Sequence, residues 1–285
     1  MKKTLVLYCL FLGIVSSSFS QSSFQVKVSG SGPAILLIPG LASSGEVWNE
    51  TIAELSKTNE CHVLTLAGFA GQPAIDLSAG FLPKMKVDIA EYLEEINKPV
   101  TLIGHSLGGF LSLQLANEYP SLISKAVIID SYPFYSAGMN PAATAEMMVP
   151  MAKQTKTMLL NASNEDFEKQ QEAGMSMMTA TQSRVPQLVD WSMKSDRATF
   201  AEVLYELMTT DYRSNLATLN TPTLVLGAWY SAKDYGLTAE SVKANFQLQY
   251  KFASNVQVEM APTAYHFIMW DNPEWFMAQI QNFLK

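Results

Sequence analysis

Cysteine, histidine and clustered basic residues are what this chain has least of. Its 285 residues include two cysteines and three histidines. Cys9 falls in an apolar N-terminal run, which leaves Cys61 alone in the rest of the chain, so no intramolecular disulfide can form there. His62, His105 and His266 are scattered and do not combine with Cys61 into ligand spacing; no metal and no other cofactor is expected. Lys and Arg number 19 against 26 Asp and Glu, giving a net charge of -7 without any run of basic residues. That balance excludes the electrostatic footprint of a nucleic-acid-binding surface.

The N-terminus reads as a leader. Lys2 and Lys3 precede the apolar run Thr4–Val15, and "SSSFS" follows, with small residues at Ser18 and Ser20 in the cleavage positions. The pattern predicts a signal peptide over 1–20 and an exported protein, periplasmic or secreted. The run is too short for a comfortable membrane span, so no stable span is expected after cleavage. Cys9 comes too early to be a lipoprotein cysteine. Adjacent residues on a strand point to opposite faces, so Cys61 and His62 cannot easily form a catalytic pair.

Beyond the leader, short apolar runs alternate with helical segments. Ala34–Pro39, His62–Leu66, Val100–Gly104 and Ala126–Asp130 are strand-length and almost continuously apolar, and Pro222–Gly227 and Val256–Met260 complete the set. Such runs suit strands buried on both faces of a parallel sheet. Leu82, Met85, Ile89, Leu93 and Ile96 recur at helical spacing. Ser106–Glu118 and Pro273–Leu284 read as further helices. The alternation predicts an α/β fold with a mostly parallel, doubly wound sheet. From about Pro133 to Asp211 the strands stop, and ten of the 15 methionines fall in this stretch. The expected layout is core over 21–132, helical cap over 133–212, and core again over 213–285.

The segment "TLIGHSLGGFLS" then acquires a context. A buried strand runs into Gly104-His105-Ser106-Leu107-Gly108, and a helix follows. That is the setting of a nucleophile elbow, in which a strained turn lifts the serine hydroxyl above the sheet. Serine needs a base. His62 begins a distant strand and His105 adjoins the serine, where its ring cannot easily turn back, which leaves His266 in "APTAYHFIMW". A carboxylate must orient that imidazole. Asp234, in "GAWYSAKDYG" after one strand, is favoured, and Asp130, ending "AVIID", is the alternative. The oxyanion donors are expected to be the N–H groups of Leu107 and of Leu41, which follows Pro39-Gly40.

These features together resemble the α/β-hydrolase superfamily, in its capped, single-domain, esterase-like branch. The likeness covers nearly all of the chain beyond the leader: the Pro39-Gly40 loop, the "GHSLGG" elbow, the insertion, the "PTLVLG" strand and the late histidine. It implies an α/β-hydrolase fold with a helical cap, Ser106 as nucleophile, His266 as base and Asp234 as acid. Three departures stand out. Pro39 replaces the histidine that many relatives carry before the glycine, and Ala67 replaces an aspartate. Asp234 lies seven residues beyond Gly227, where about three is usual. A serine at the elbow also separates the chain from the dehalogenase and epoxide hydrolase branches, which place aspartate there.

The expected partner is a small to medium apolar ester, cleaved through an acyl-enzyme. Phe134, Trp229, Tyr230, Tyr265 and Phe267 flank the site segments and are the candidate substrate contacts, with the cap methionines as an adaptable apolar wall. Thioester, lactone, N-terminal peptide and carbon–carbon bond hydrolysis stand as alternatives. Glu146, Glu165, Asp166, Glu168 and Glu172 of the insertion are the groups that would bind a substrate amine. A low-turnover ligand-binding protein on the same fold is the reading from a different class. The oligomeric state is left open.

Overall fold

The computed structural model describes residues 23–285, so the leader expected at 1–20 lies outside the described residues. In chain order the elements are β1 (Phe24–Gly30), β2 (Ala34–Ile38), α1 (Asn49–Leu55), β3 (Glu60–Leu66), α2 (Phe81–Ile96), β4 (Val100–His105), α3 (Leu107–Glu118) and β5 (Ile123–Ile129). Four helices follow: α4 (Ala145–Asn161), α5 (Asn164–Met178), α6 (Val185–Met193) and α7 (Arg197–Thr209). The chain closes with β6 (Thr223–Gly227), α8 (Ala239–Gln249), β7 (Val256–Met260), α9 (Ile268–Asp271) and α10 (Pro273–Leu284).

The strands form one sheet in the order β1-β3-β2-β4-β5-β6-β7. Every pairing is parallel except β1 with β3. The continuous apolar runs resolve into two faces by the two-residue period of a strand. Leu36, Ile38, Leu64, Leu66, Leu102 and Ile128 pack with Phe81, Met85, Ile89 and Phe110 from α2 and α3. Ile35, Leu37, Val63, Ile103, Val127 and Ile129 face the other way, onto Leu55 of α1 and Phe276 and Ile280 of α10. Helix α3 is buried from Leu107 through Ala116, as a helix apolar on every side must be.

β1 is not among the strands read from the sequence. Phe24 and Val26 are half-buried while Gln25, Lys27 and Val28 are exposed, so the strand covers the sheet edge with one weakly apolar face. Lys27 on that edge discourages pairing with another chain.

The helices α4 to α7 lie between β5 and β6, with α4 against α7 and α5 against α6. Thr144, Ser163 and Asp196 cap α4, α5 and α7 by accepting from the N–H groups of Met147, Asp166 and Thr199. Each satisfies a donor that the first turn leaves free. The insertion is fastened to the core by charge. The Glu206 carboxylate of α7 accepts from the N–H groups of Phe81 and Leu82, both at 2.7 Å, at the positive end of α2. Arg184 pairs with Glu50 of α1 and lies 5.0 Å from the centroid of Trp270. Among the described residues no helix is long and apolar enough to cross a membrane.

In the sheet, β2 has β3 on one side and β4 on the other. The chain leaves β2 for β3 on one side and then crosses over β2 to β4 on the other, so the direction of strand addition reverses here. In open α/β sheets ligands bind beyond the carboxyl ends of the strands at such a reversal. Ser106 follows β4 at that edge.

Candidate active site

The elbow is built from contacts that only glycine permits. A methyl group on Gly104 would stand 2.1 Å from the Gly108 carbonyl oxygen, and one on Gly108 would stand 2.1 Å from that of Ile38. Strand β4, helix α3 and strand β2 thus meet backbone to backbone. A methyl on Gly109 would meet the Ser131 Cβ at 2.8 Å. Ser106 between them has φ 53° and ψ -116°, a conformation that L-residues avoid. Its N–H donates to the Ile129 carbonyl at 2.9 Å and its carbonyl accepts from the Phe110 N–H at 2.9 Å, so both ends of the strained residue are pinned. Gly108→Ala is expected to cost about 3 kcal/mol through overpacking against an immovable carbonyl. A thermal melt should show Tm lowered by roughly 6–12 °C; an unchanged Tm would contradict the close approach.

His266 and Asp130 meet beside this turn. The His266 Nδ1 lies 2.6 Å from Asp130 Oδ2. Both side chains are mostly buried, at 24% and 16% exposure, so water competes little for the bond. Asp130 is the residue directly after β5, with φ 44°. Its N–H donates to the Leu226 carbonyl at 2.7 Å, and its Oδ1 accepts from the Ala228 N–H at 2.8 Å. One carboxylate oxygen is therefore held by the end of β6 and the other is left for the imidazole.

Asp234, the carboxylate favoured from the sequence, does not reach His266. It sits exposed in a short turn of helix over Tyr230–Tyr235. The physical reason is distance along the chain: the turn after β6 carries Asp234 away from the sheet edge, whereas Asp130 is placed there by the last peptide of β5. The alternative acid, Asp130, is the one brought to the histidine.

The loop carrying His266 is held on three sides. Tyr265 N–H donates to Asp271 Oδ2 at 2.9 Å, Phe267 N–H donates to the Met178 carbonyl at 3.2 Å, and the His266 carbonyl lies 3.0 Å from His105 Nε2. Asp271 also accepts from the Thr179 and Thr181 hydroxyls and from the Ala180 and Thr181 N–H groups. A single carboxylate thus joins the end of the α5 segment to the histidine loop. Sequence reasoning missed Asp271 and passed over His105. Nothing local marks Asp271, since apart from the Tyr265 N–H its partners lie about ninety residues away.

Leu41 and Leu107 border the turn, and neither N–H is paired in a hydrogen bond among the described residues. The proposed substrate contacts divide. Trp229, Tyr230 and Tyr265 are half-buried and form a ring cluster with centroids 5.4 and 6.3 Å apart. Phe134 is fully buried, packed with Ala137 and Ala143 beneath Arg213, and so is removed from any substrate. Phe267 is 3% exposed, stacked on Trp270 at 4.9 Å. Both belong to the packing because an aromatic ring gains more from full burial than from a wet cleft. Of the cap methionines, Met139, Met147, Met151, Met158, Met177 and Met178 are exposed, whereas Met175 and Met208 are buried. They do not form one apolar wall.

The remaining nucleophile candidates are structural. Cys61 is buried, and burial pushes its thiol up to about 11. His62 lies 2.6 Å from the Tyr92 hydroxyl and 2.8 Å from Glu60 Oε1, a satisfied pair on the sheet's flank.

Comparison with known proteins agrees with the architecture. The model of the alpha/beta hydrolase family matches residues 35–279. An uncharacterized protein of Mycobacterium bovis is 31% identical over 107 residues, 37% of this chain and 31% of that one. A pimeloyl-(acyl-carrier protein) methyl ester esterase of Aeromonas hydrophila is 30% identical over 115 residues, covering 40% and 44%. The matches span less than half the length of these relatives. The enol-lactonase of Burkholderia xenovorans superposes with a TM-score of 0.74 at 14% identity, over 92% of this chain and 96% of that one, a likeness of fold. The matched span takes in the elbow, Asp130 and His266, and the chain belongs to the alpha/beta hydrolase family.

Proposed function

We propose that the protein is a serine hydrolase of carboxylic esters, with Ser106 as nucleophile, His266 as general base and Asp130 as the acid. The observation that carries this reading is the 2.6 Å contact of Asp130 with His266 Nδ1 beside a serine held at φ 53°. A carboxylate on Nδ1 keeps the proton there and leaves the Nε2 lone pair to take one from serine. As Ser106 Oγ bonds to the acyl carbon, its proton passes to His266 Nε2 and the carbonyl pair moves onto oxygen. The N–H groups of Leu41 and Leu107, with the positive end of α3, stabilise that oxyanion. Collapse expels the alcohol, which receives the proton from His266. Water then repeats the sequence and releases the acid, restoring Ser106.

The half-buried cluster of Trp229, Tyr230 and Tyr265 supports an acyl or alkoxy group of small to medium apolar character. The names of the relatives, an esterase and an enol-lactonase, are consistent with acyl substrates. Two measurements test the reading. A phosphonate ester bearing a p-nitrophenolate leaving group should add once per chain, and peptide mass mapping should place the adduct on Ser106. Among p-nitrophenyl esters from acetate to octanoate, kcat/KM should peak at a short or medium chain. An adduct elsewhere, or stoichiometric binding of esters without multiple turnovers, would replace this reading with that of a ligand-binding protein.

A further inference from the structure

The His105 ring adjoins Ser106 and cannot easily turn back to it as a base, yet its surroundings are more specific than those of a spacer. The side chain is 1% exposed. Its Nε2 lies 3.0 Å from the main-chain carbonyl oxygen of His266, and since a carbonyl only accepts, Nε2 carries the proton. Its ring centroid is 4.5 Å from that of His266 and 4.8 Å from that of Phe267. On its other edge is the loop with Pro39 and Gly40: a methyl on Gly40 would stand 3.1 Å from Nδ1 and 3.3 Å from Ser106 Cβ. Nδ1 itself is buried without a partner. Burial, reinforced by the neighbouring His266, holds the His105 imidazole well below its ordinary range, so it stays neutral. One neutral ring thus fills the space between the loop offered for the oxyanion and the loop offering the base.

Resting on the assignment of Ser106, Asp130 and His266 above, we propose that His105 is a positioning residue for the base. Its Nε2–H fixes the main chain of His266, and so fixes the imidazole between Asp130 and Ser106. Asp130 holds one edge of that imidazole but not the backbone that carries it. Phe267 N–H on Met178 and Tyr265 N–H on Asp271 restrain the flanking peptides. The His266 carbonyl is restrained by His105. Displacing a reacting group by about 1 Å can cost on the order of 100-fold in rate, which is the scale of effect a lost tether should produce.

The alternative is that the ring only fills space, and two substitutions separate these roles. His105→Phe keeps an aromatic ring beside Phe267 and beside Trp48, whose ring lies edge-on with its centroid 6.5 Å from that of His105, but loses the donor. His105→Gln loses the ring but places an amide N–H near the position of Nε2. Packing alone ranks Phe above Gln; the tether ranks Gln above Phe. With kcat normalised to sites titrated by the phosphonate, His105→Phe should fall roughly 10- to 100-fold at a KM within about threefold. His105→Gln should retain a third or more of the wild-type kcat. The proton NMR signal of His266 Nδ1–H should persist in the Gln variant and broaden in the Phe variant. A Phe variant as active as the Gln variant would overturn the proposal. If neither variant folds, nitrogen NMR of the wild type decides: His105 must carry its proton on Nε2 throughout the active pH range, and an Nδ1–H tautomer overturns it. Ser106→Ala, run alongside, separates this outcome from failure of the triad itself, because activity surviving there would indict the nucleophile and not its tether.

Discussion

Replacing Ser106 with alanine should lower kcat/KM on p-nitrophenyl esters by at least about 10³-fold, a loss of roughly 4 kcal/mol of transition-state stabilisation. The residual rate would come from the oxyanion donors and from substrate binding, which do not depend on the hydroxyl. The same position tests the strain. Ser106 stands at φ 53°, a conformation equally unfavourable for alanine, so Ser106→Ala should melt close to the wild type. Ser106→Gly removes the steric penalty and should be more stable by about 1 kcal/mol, with Tm raised by roughly 2–4 °C, while remaining inactive. That pair of results, activity lost in both and stability gained in one, is what a strained nucleophile requires. Activity surviving in either variant would remove Ser106 from the chemistry. A glycine variant that melts lower would mean that the turn is relaxed and the elbow wrongly understood.

The residues that could be read in the sequence are those whose requirement is local. Strands β2 to β6 announce themselves because a strand covered on both faces is apolar at nearly every position, whereas β7, read from the sequence as one of the same set, lies at the sheet edge with only Val258 buried. Gly104 and Gly108 are legible because the close approach of strand and helix is a demand on backbone space at fixed spacing. His266 emerges by elimination from a set of three. β1 was not legible: its five exposed positions leave two half-buried residues, Phe24 and Val26, too little pattern to separate from a loop. Adjacency to the site segments is all that marks Phe134 and Phe267 as substrate contacts in the sequence. Adjacency says that a side chain is near, whereas burial depends on the packing of Ala143 and Trp270, which sequence order does not reveal. His105 and Asp271 serve the site through main-chain groups of residues 265 and 266. A main-chain acceptor or donor leaves no trace in residue identity, so a tether to it is visible only in three dimensions.

The choice between the two carboxylates gives the other large effect. Asp130→Asn should reduce kcat by roughly 10³- to 10⁴-fold, while Asp234→Asn should leave it within about twofold. The asymmetry follows from how Asp130 is held. Its Oδ1 accepts the Ala228 N–H at 2.8 Å, so an asparagine there must turn its carbonyl oxygen toward Ala228. The amide nitrogen then faces His266 at the place of Oδ2 and donates to Nδ1. A hydrogen bond donated to Nδ1 by the asparagine amide requires Nδ1 to be the acceptor, so the ring's own proton sits on Nε2, the atom that must accept from Ser106. The base is present, correctly placed and in the wrong tautomer. Turning the amide over would face its NH₂ against the Ala228 N–H, two donors without an acceptor in a mostly buried site, which costs about 1–3 kcal/mol. Asp234 has no such geometry. It is exposed on the turn Tyr230–Tyr235, and its neutral replacement changes only a solvated charge beside Lys233. Steady-state kinetics on one ester with both variants decides the matter. Equal losses, or a larger loss at Asp234, would mean that the turn carrying it closes over His266 during the reaction and that the Asp130 contact belongs to the resting enzyme alone.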